Sequence, residues 1–319
     1  MPVSKDHHRL LYRIAQAYYF DDLTQQQIAR RFGLSRSKVS RLLSQARDGK
    51  IVHITLVPPP SGMADLEHAL ERRNGLVEAV VVRVSDPQDL AAVKRELGPA
   101  AAECLLRSIR GDEVVGIAWG MSIMAAVDAL PFKSWPNVTI VQITGGLGPA
   151  GELEHSAELA RSLAQRFSAR LRPLPAPGIV STRAAARALK ADKQIAETLD
   201  LAARADVALV GLGILSPDAI LLRDGTIIAE EDIQRLRDAQ AVGDIGLRYI
   251  NADGEPLDLE MNERIVGLTL EQIIKIPRVI GIAGGEAKYD MIRAALRGKI
   301  LDVLVTDHAT AQRLLTGAD

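Results

Sequence analysis

The sequence predicts an α/β protein: an N-terminal helix-turn-helix domain followed by a larger, doubly wound, mainly parallel α/β domain. Early in the chain, two short amphipathic helices are joined by a glycine. From residue 63 onward, runs rich in Val and Ile alternate with segments of helical periodicity. A third observation is the charge, which changes sign between these two parts. We therefore expect two domains with different chemistry.

Residues 24–46 carry the helix-turn-helix pattern. Thr24 and Gln27 have the spacing of a capping box, Gly33 suits a left-handed turn, and Ser35 can cap the second helix. The residues expected to face inward are Ile28, Ala29 and Phe32 in the first helix, and Val39, Leu42, Leu43 and Ala46 in the second. This segment predicts a device that reads DNA, although a helical hairpin with a solvated charged face has the same pattern.

The outward side of the second helix carries hydrogen-bond donors and positive charge near its N-terminus. In a helix-turn-helix this part of the recognition helix meets base edges, while neighbouring cations hold phosphates. Arg36, Ser37 and Ser40 are the candidates for reading bases. The candidates for holding the DNA backbone are Lys38, Arg41 and Arg47, and Gln25 in the first helix completes the predicted DNA-binding set.

The net charge of −1 hides a strong asymmetry between the two parts of the chain. Residues 1–57 contain ten Lys or Arg against four acids, whereas the remainder has 29 basic and 36 acidic residues. Such a split predicts a basic nucleic-acid module joined to a mildly acidic body. Double-stranded operator DNA is the expected partner of the basic module.

The composition shift predicts a domain boundary after residue 57. Residues 58–62, PPPSG, read as a stiff linker, so that residues 63–319 form the second domain. Residues 51–56 alternate like a short strand, and they form either a small wing or the exit from the first domain.

Several classes of protein are disfavoured by the sequence. No apolar run is long enough to cross a membrane and no secretory signal is visible, so we expect no membrane partner and a cytoplasmic protein. Cys104 suits a packed helix position better than a reactive thiol. The six histidines show no metal-ligand spacing, so neither a metal nor a cofactor is predicted.

The second domain shows a βαβ rhythm that indicates a parallel sheet covered on both faces. The predicted strands are residues 80–84, 113–118, 138–143, 206–210, 278–282 and 301–305. The predicted helices are residues 63–73, 88–108, 122–130, 155–169, 191–203, 231–239, 288–296 and 309–315.

Glycine-containing turns follow several of these strands and therefore belong at one rim of the sheet. Ligands of open α/β sheets bind there, because glycine lets a backbone approach and helix N-termini present amides to anions. The glycines concerned are Gly120, Gly145, Gly146, Gly211, Gly213, Gly284 and Gly285. Each of them taken alone is equally well explained as closing a tight turn.

The chain resembles the SorC family of sugar-responsive bacterial transcriptional regulators, also called the DeoR/CggR type. The resemblance is carried by LTQQQIARRFGLSRSKVSRLLSQARDGKIVHI, VVGIAWGMS, VQITGGLG, the aspartate of AVGDIGLRYI, and AGGEAKYDMIRAALRGKILDVLVTDHATA, and it spans nearly the whole chain. It implies an effector domain similar to ribose-5-phosphate isomerase and glucosamine-6-phosphate deaminase, phosphorylated sugars as ligands, and a homo-oligomer built as a dimer of dimers.

The resemblance also implies site residues. Gly120 and Ser122 match a turn that cradles phosphate, and Lys288 would supply the countercharge, although a surface lysine is the simpler interpretation. Asp244 and Arg223 match polar positions that line the pocket. The further effector-binding candidates are Gln142, Gly145, Gly146, His155, Gly211, Gly213, Gly284 and Glu286. His155 equally suits a helix cap.

The leading hypothesis is a regulator of a carbohydrate or polyol catabolic operon, whose operator affinity is controlled by a phosphorylated sugar or polyol. One alternative is a sugar-phosphate isomerase or deaminase with an attached DNA-binding domain. It is disfavoured because Asp244 and Glu286 are the available bases and no second acid or metal set accompanies them. No catalytic residue is therefore predicted. Another alternative is an assembly domain with a vestigial pocket.

Overall fold

The computed structural model describes residues 5–54, 62–146, 150–215 and 228–317, without the side chains of residues 5 and 150–156. The chain divides into two compact units, residues 1–59 and 60–319. The predicted linker at 58–62 lies outside the described residues except for its last residue, Gly62.

The first unit consists of three helices, α1 (Lys5–Tyr19), α2 (Gln25–Phe32) and α3 (Arg36–Asp48). Helices α2 and α3 confirm the helix-turn-helix, and both faces predicted to be apolar lie in one small core. Helix α1 was not predicted. Residues 51–54 form no strand, so the part of the proposed wing that the structure describes is an irregular exit from α3.

Capping interactions explain where α2 begins and ends and where α3 begins. The Thr24 hydroxyl accepts a hydrogen bond from the Gln27 amide at 3.3 Å, and the Gln27 side chain accepts one from the Thr24 amide at 2.8 Å. Gly33 has φ +65°, a left-handed conformation that glycine adopts without strain. The Ser35 hydroxyl accepts from the Lys38 amide at 3.2 Å. Caps therefore set where α2 and α3 begin.

The second unit is an α/β domain, which confirms the predicted fold class. Its strands are β1 (Glu78–Val82), β2 (Val114–Ile117), β3 (Thr139–Gln142), β4 (Arg170–Arg172), β5 (Val207–Ile214), β6 (Gly243–Ile245), β7 (Arg248–Ile250), β8 (Val279–Ile282) and β9 (Val303–Asp307). Its helices are α4 (Ala64–Asn74), α5 (Leu90–Ser108), α6 (Met121–Asp128), α7 (Ala150–Phe167), α8 (Arg183–Ala191), α9 (Lys193–Ala202), α10 (Glu230–Asp238), α11 (Glu260–Glu263), α12 (Leu270–Ile274), α13 (Tyr289–Arg297) and α14 (His308–Thr316).

The sheet has the strand order β1-β9-β8-β5-β2-β3-β4, and every neighbouring pair along it is parallel. From β2 the chain moves outward to β3 and β4, then returns to β5 on the other side of β2 and continues to β8 and β9. The direction of winding therefore reverses between β2 and β5. In doubly wound sheets the crevice at the carboxyl ends of two such strands is the usual ligand site.

Strand β5 is longer than predicted and changes partners along its length. Residues 208–211 pair with β8, whereas residues 212–214 pair antiparallel with β6, which in turn pairs with β7. The short hairpin of β6 and β7, like β4, was not predicted. It projects beyond the main sheet at the end where the glycine turns lie.

One large hydrophobic core binds the sheet to the helices on both faces. The central strands are buried almost throughout, as expected for parallel strands with helices on either side. Within the described parts of the chain, no helix is long and apolar enough to span a membrane.

Candidate functional site

Two glycines, Gly120 and Gly211, lie together at the crevice between β2 and β5. A Cβ added to Gly120 would meet nothing closer than 3.8 Å, and one added to Gly211 nothing closer than 3.9 Å. The same construction places the Gly120 Cβ 4.0 Å from the Gly211 Cα. Packing within the chain therefore does not require a glycine at either position. The two glycines lie side by side where the winding reverses, and a Cβ at either would make only ordinary van der Waals contacts, chiefly with Ile123.

Helix α6 begins directly after Gly120. Ser122 lies buried in its first turn. The first amides of a helix have no partner within the helix, and the helix dipole adds a partial positive charge at this end. Both effects favour an anion such as phosphate in front of Gly120.

The hairpin of β6 and β7 brings Asp244 to the end of β5. Asp244 pairs with Gly213 across the antiparallel ladder, and its carboxylate lies directly over Gly213. One carboxylate oxygen accepts a hydrogen bond from the Leu247 amide at 2.9 Å. Leu247 has φ +69°, which a leucine rarely adopts, so Asp244 also stabilises a strained turn.

Burial raises the pKa of the Asp244 carboxyl to about 6. The Leu247 hydrogen bond and the charge of Lys288 both oppose this rise, because each stabilises the ionised form. The pKa of a side chain in a crevice is often perturbed in this way at functional sites. A carboxylate here is suited to accept hydrogen bonds from ligand hydroxyl groups.

Lys288 is not the surface lysine of the simpler interpretation. Its side chain is partly buried, and its ammonium donates to the carbonyl oxygen of Leu212 at the end of β5. Burial, followed by the nearby charge of Lys94, lowers the pKa of Lys288 to about 8, while Asp244 acts in the opposite direction. Lys288 and Asp244 thus both contact the last residues of β5.

Lys94 is a residue that the sequence reasoning missed. It lies on α5, where its positive charge is close enough to lower the pKa of Lys288. Two neighbouring ammonium groups repel each other, and an anion bound between them relieves that repulsion. The sequence does not reveal this role of Lys94, because Lys288, its neighbour in the fold, is nearly two hundred residues away along the chain.

Two other glycine candidates are explained by packing. A Cβ at Gly145 would lie 2.4 Å from the Ala176 carbonyl oxygen. The Gly145 amide donates to Val266 at 3.0 Å, and the Gly146 amide donates to Ala176 at 2.9 Å. These amides are therefore occupied by the protein itself. The structure supports a close loop-to-loop contact here and shows no amides left over for a ligand at these two glycines.

The turn at Gly284 and Gly285 is held by Asp307, which was not singled out from the sequence. The buried Asp307 carboxylate accepts from the Gly285 amide at 2.6 Å and from the Thr310 amide at 2.9 Å. A Cβ at Gly284 would lie 2.6 Å from the same carboxylate, and Gly285 has φ +91°. Asp307 thus orients the turn that leads to Lys288.

The contacts described for Gln142 and Glu286 are with residues other than Asp244 and Lys288. The Gln142 amide oxygen accepts from the Leu174 amide at 2.9 Å and supports the loop after β4. Glu286 is exposed and faces Arg313 at 3.5 Å. The side chain of His155, and Arg223 altogether, lie outside the described residues.

Arg248 supports the hairpin from behind, a role that the sequence did not reveal. Its buried guanidinium donates to the carbonyl oxygens of Leu268 at 2.7 Å, Asn262 at 2.8 Å and Gly267 at 3.1 Å. Burial lowers the pKa of this group to about 10. The side chain ties β7 to the segment that also packs against Gly145.

The described residues include no group of three or more His, Cys, Asp or Glu side chains that could hold a metal ion. The polar side chains that the contacts do bring together are a carboxylate and two ammonium groups. This combination suits hydroxyl and phosphate groups.

The predicted recognition helix α3 presents its polar side to solvent. Arg36, Ser37, Lys38, Ser40, Arg41 and Arg47 are all exposed. Among the residues that the structure describes, Arg36, Lys38 and Arg41 form no ion pair. The Ser37 hydroxyl is within hydrogen-bond distance of the Ser35 hydroxyl, at 3.1 Å. Exposed cations without acidic partners are available to DNA phosphates and base edges.

Gln25 is half-buried and borders a shallow cavity that Arg36 also lines. The two helices of the motif therefore both contribute to the same surface. No aspartate or glutamate lies on α2, and the single acid of α3 is its last residue, Asp48.

Comparison with known proteins supplies the deciding observation. Residues 58–316 match the family model described as "Putative sugar-binding domain", and residues 13–48 match "Sigma-70, region 4". The transcriptional regulator LsrR of Enterobacter sp. (strain 638) is 33% identical, over 96% of this chain and 92% of that protein. The deoxyribonucleoside regulator of Bacillus subtilis is 32% identical, over 98% of this chain and 99% of that protein.

The full-length sorbitol operon regulator SorC of Klebsiella pneumoniae has a similar structure. It superposes with a TM-score of 0.72 at 31% identity and covers 98% of this chain and 100% of its own. The chain belongs to the SorC family of transcriptional regulators. In this SorC-family chain the helix-turn-helix and the sugar-binding domain are therefore both identified, and the crevice between β2 and β5 lies within the sugar-binding domain.

Proposed function

We propose that the protein regulates a carbohydrate or polyol catabolic operon and that a phosphorylated sugar or polyol controls its affinity for operator DNA. The effector binds at the crevice between β2 and β5. Its phosphate lies before α6, and its hydroxyl groups face Asp244. Because operator DNA lies in the bacterial cytoplasm, the proposal places the protein there, as a homo-oligomer built from two dimers.

The observation that carries this proposal is the position of Gly120 and Gly211, side by side where the winding reverses. Other glycines of the rim, such as Gly145 and Gly213, have atoms of the chain where a side chain would begin, whereas a Cβ at these two would meet only ordinary van der Waals contacts. The pair adjoins a helix N-terminus and the end of β5, where Lys288 and Asp244 are anchored. An anionic head with a polyhydroxyl tail matches this order of groups.

We further propose that the domain senses its ligand without converting it. Isomerisation or deamination needs a positioned base next to the reacting carbon. Glu286 is turned toward Arg313, and Asp244 is fixed by the Leu247 amide. An assay for turnover of the bound ligand tests this part directly, since product formation would make the protein an enzyme.

A thermal-shift screen tests the effector class. The purified full chain is heated with ribose 5-phosphate, glucose 6-phosphate and sorbitol 6-phosphate, and with the same three compounds lacking phosphate. A true effector at 100 times its Kd stabilises the folded state by about 2.7 kcal/mol. A clear rise in Tm is expected with at least one phosphorylated compound. If only unphosphorylated compounds raise the Tm, the proposed anionic ligand is wrong.

The coupling to DNA needs a second measurement. An operator is first selected from fragments of genomic DNA by binding to the full chain. The compound that raised the Tm is then titrated against this operator. The proposal expects a change in Kd for DNA, because an effector must bind the two functional states with different affinity. An unchanged Kd with saturating compound contradicts the proposed regulation.

A further inference from the structure

One face of the hairpin of β6 and β7 carries a buried tyrosine beside Asp244. Tyr249 on β7 lies directly opposite Asp244 on β6, and Asp244 in turn lies opposite Gly213 on β5. Residues that oppose each other in antiparallel strands have their side chains on the same face of the sheet, with Cβ atoms about 4.5–5.5 Å apart. The Tyr249 ring and the Asp244 carboxylate therefore start from neighbouring points on one face.

The hydroxyl group of Tyr249 has no hydrogen-bond partner among the described residues, although the residue is only 2% exposed. The two carboxylates nearest to it by charge are engaged elsewhere. Asp244 accepts from the Leu247 amide, and Asp232 pairs with Arg264. Buried hydroxyl groups are nearly always bonded, because water no longer satisfies them and an unpaired one destabilises the folded state. This unpaired donor therefore calls for an explanation.

Packing and charge keep this hydroxyl in place as a donor. The Tyr249 ring belongs to a small apolar cluster, separate from the main core, with Ile228, Ile233, Leu236 and Met261. Burial, followed by the charges of Asp244 and Asp232, raises the pKa of Tyr249 well above its usual range. The phenol therefore stays protonated at neutral pH, and its O–H is available to an acceptor.

A donor and an acceptor that lie side by side match one kind of ligand group. An ionised Asp244 carboxylate only accepts hydrogen bonds, whereas the Tyr249 phenol has a proton to donate. A sugar or polyol hydroxyl can donate to the first and accept from the second at the same time. Asp244 is itself only 7% exposed, so a ligand hydroxyl that reaches the carboxylate also meets the phenol.

We propose that the Tyr249 hydroxyl donates a hydrogen bond to the same effector hydroxyl that donates to Asp244, and that this pair selects effectors with a hydroxyl at that position. The inference rests on the proposed function and extends it to the part of the effector that carries no phosphate. An analogue in which hydrogen replaces this hydroxyl leaves both buried groups unpaired, so the site disfavours it.

Two substitutions that each remove one hydroxyl group test this inference in the full chain. Tyr249→Phe removes only the phenol oxygen. Thr306→Val is the matched control, because the Thr306 hydroxyl on β9 is also buried and, within the part of the chain that the structure describes, also unpaired. The unliganded proteins are compared by thermal unfolding. Each is then titrated calorimetrically with ribose 5-phosphate, glucose 6-phosphate and sorbitol 6-phosphate.

Without ligand, both variants should melt at or above the wild-type Tm, because an unpaired hydroxyl contributes no hydrogen bond to the fold. A compound that binds the wild type should bind Tyr249→Phe with a roughly 5- to 150-fold higher Kd and Thr306→Val with an unchanged Kd. An unchanged Kd in Tyr249→Phe, or a Tm clearly below that of Thr306→Val, overturns the inference alone. If the wild type binds none of the three compounds, the proposed function fails and this inference fails with it.

Discussion

A Cβ atom at Gly213 would lie 1.9 Å from Oδ1 of Asp244, so the carboxylate occupies the place where any side chain at residue 213 would begin. The requirement for glycine at this position is thus imposed by the side chain of Asp244.

We expect Gly213→Ala to displace Asp244 and to lower the free energy of unfolding by about 1–3 kcal/mol, the usual cost of overpacking. The double variant Gly213→Ala with Asp244→Ala removes the clash, so its loss of stability should be smaller than the sum of the losses in Gly213→Ala and Asp244→Ala. Urea denaturation of the single and double variants measures this coupling. Additive losses would show that the two residues do not compete for the same space.

Replacing Lys288 should weaken effector binding selectively. Loss of a charge-assisted hydrogen bond, about 1.5–3 kcal/mol, corresponds to a 10- to 150-fold higher Kd for the phosphorylated effector in Lys288→Gln. Operator binding without effector should be unchanged. Lys190→Gln is the matched control, since Lys190 is also a partly buried lysine whose pKa burial lowers. Calorimetric titration of both variants distinguishes the site from a general loss of charge.

The pKa values of the two anchored groups predict a pH window for effector binding. Lys288, with a pKa of about 8, loses its proton as the pH rises above 8, so affinity for an anion should then fall by up to tenfold per pH unit. Asp244, with a pKa of about 6, becomes neutral below pH 6 and accepts ligand hydroxyls less well. Binding should therefore be tightest between about pH 6 and 8. In Lys288→Gln the decline above pH 8 should be absent.

Arg36 should contribute to operator binding and not to effector binding. A bidentate contact from arginine to guanine discriminates by about 1–3 kcal/mol, so that Arg36→Ala should raise the Kd for operator roughly 5- to 150-fold. The thermal shift caused by the effector should be preserved. Arg187→Ala, an exposed arginine of the second unit, serves as the control in the same fluorescence-anisotropy assay. If Arg36→Ala and Arg187→Ala lose the same operator affinity, the effect of Arg36 is explained by its contribution to the net charge.

Asp307 should matter more for stability than an ordinary helix cap. Asp307→Ala removes the cap of α14 and also leaves the Gly285 amide without its acceptor, so we expect a loss of about 2–4 kcal/mol. Asp89 caps α5 at an exposed position, and Asp89→Ala should cost about 1 kcal/mol. Thermal unfolding of both variants compares the two caps.

The parts of this molecule that were predictable from sequence depend on local rules. The capping box at Thr24 and the left-handed Gly33 define the helix-turn-helix within ten residues of chain. The buried parallel strands are predictable from their nearly continuous runs of Val and Ile. The hairpin of β6 and β7 was missed because three-residue strands carry too little periodicity.

The site was predictable only in part, for a different reason. Gly120 and Gly145 look alike in sequence, yet a side chain would fit without a clash at the first and would collide with the Ala176 carbonyl at the second. Lys94 and Asp307 act on residues far away in the chain, so that no spacing pattern reveals them. Glu286 ends the glycine turn that the sequence places at the rim, but its carboxylate faces Arg313.

The bond from Lys288 to the Leu212 carbonyl has a consequence for affinity. An ammonium group has three N–H donors, so that one bond to the chain leaves two directed elsewhere. The long side chain is thereby ordered before any ligand arrives. Immobilising such a side chain on binding costs about 0.5–1.5 kcal/mol, and here folding has already incurred that loss of conformational freedom. Lys288 is therefore preorganised, and the proposed sugar-phosphate effector, which is small and makes few contacts, would gain from this arrangement.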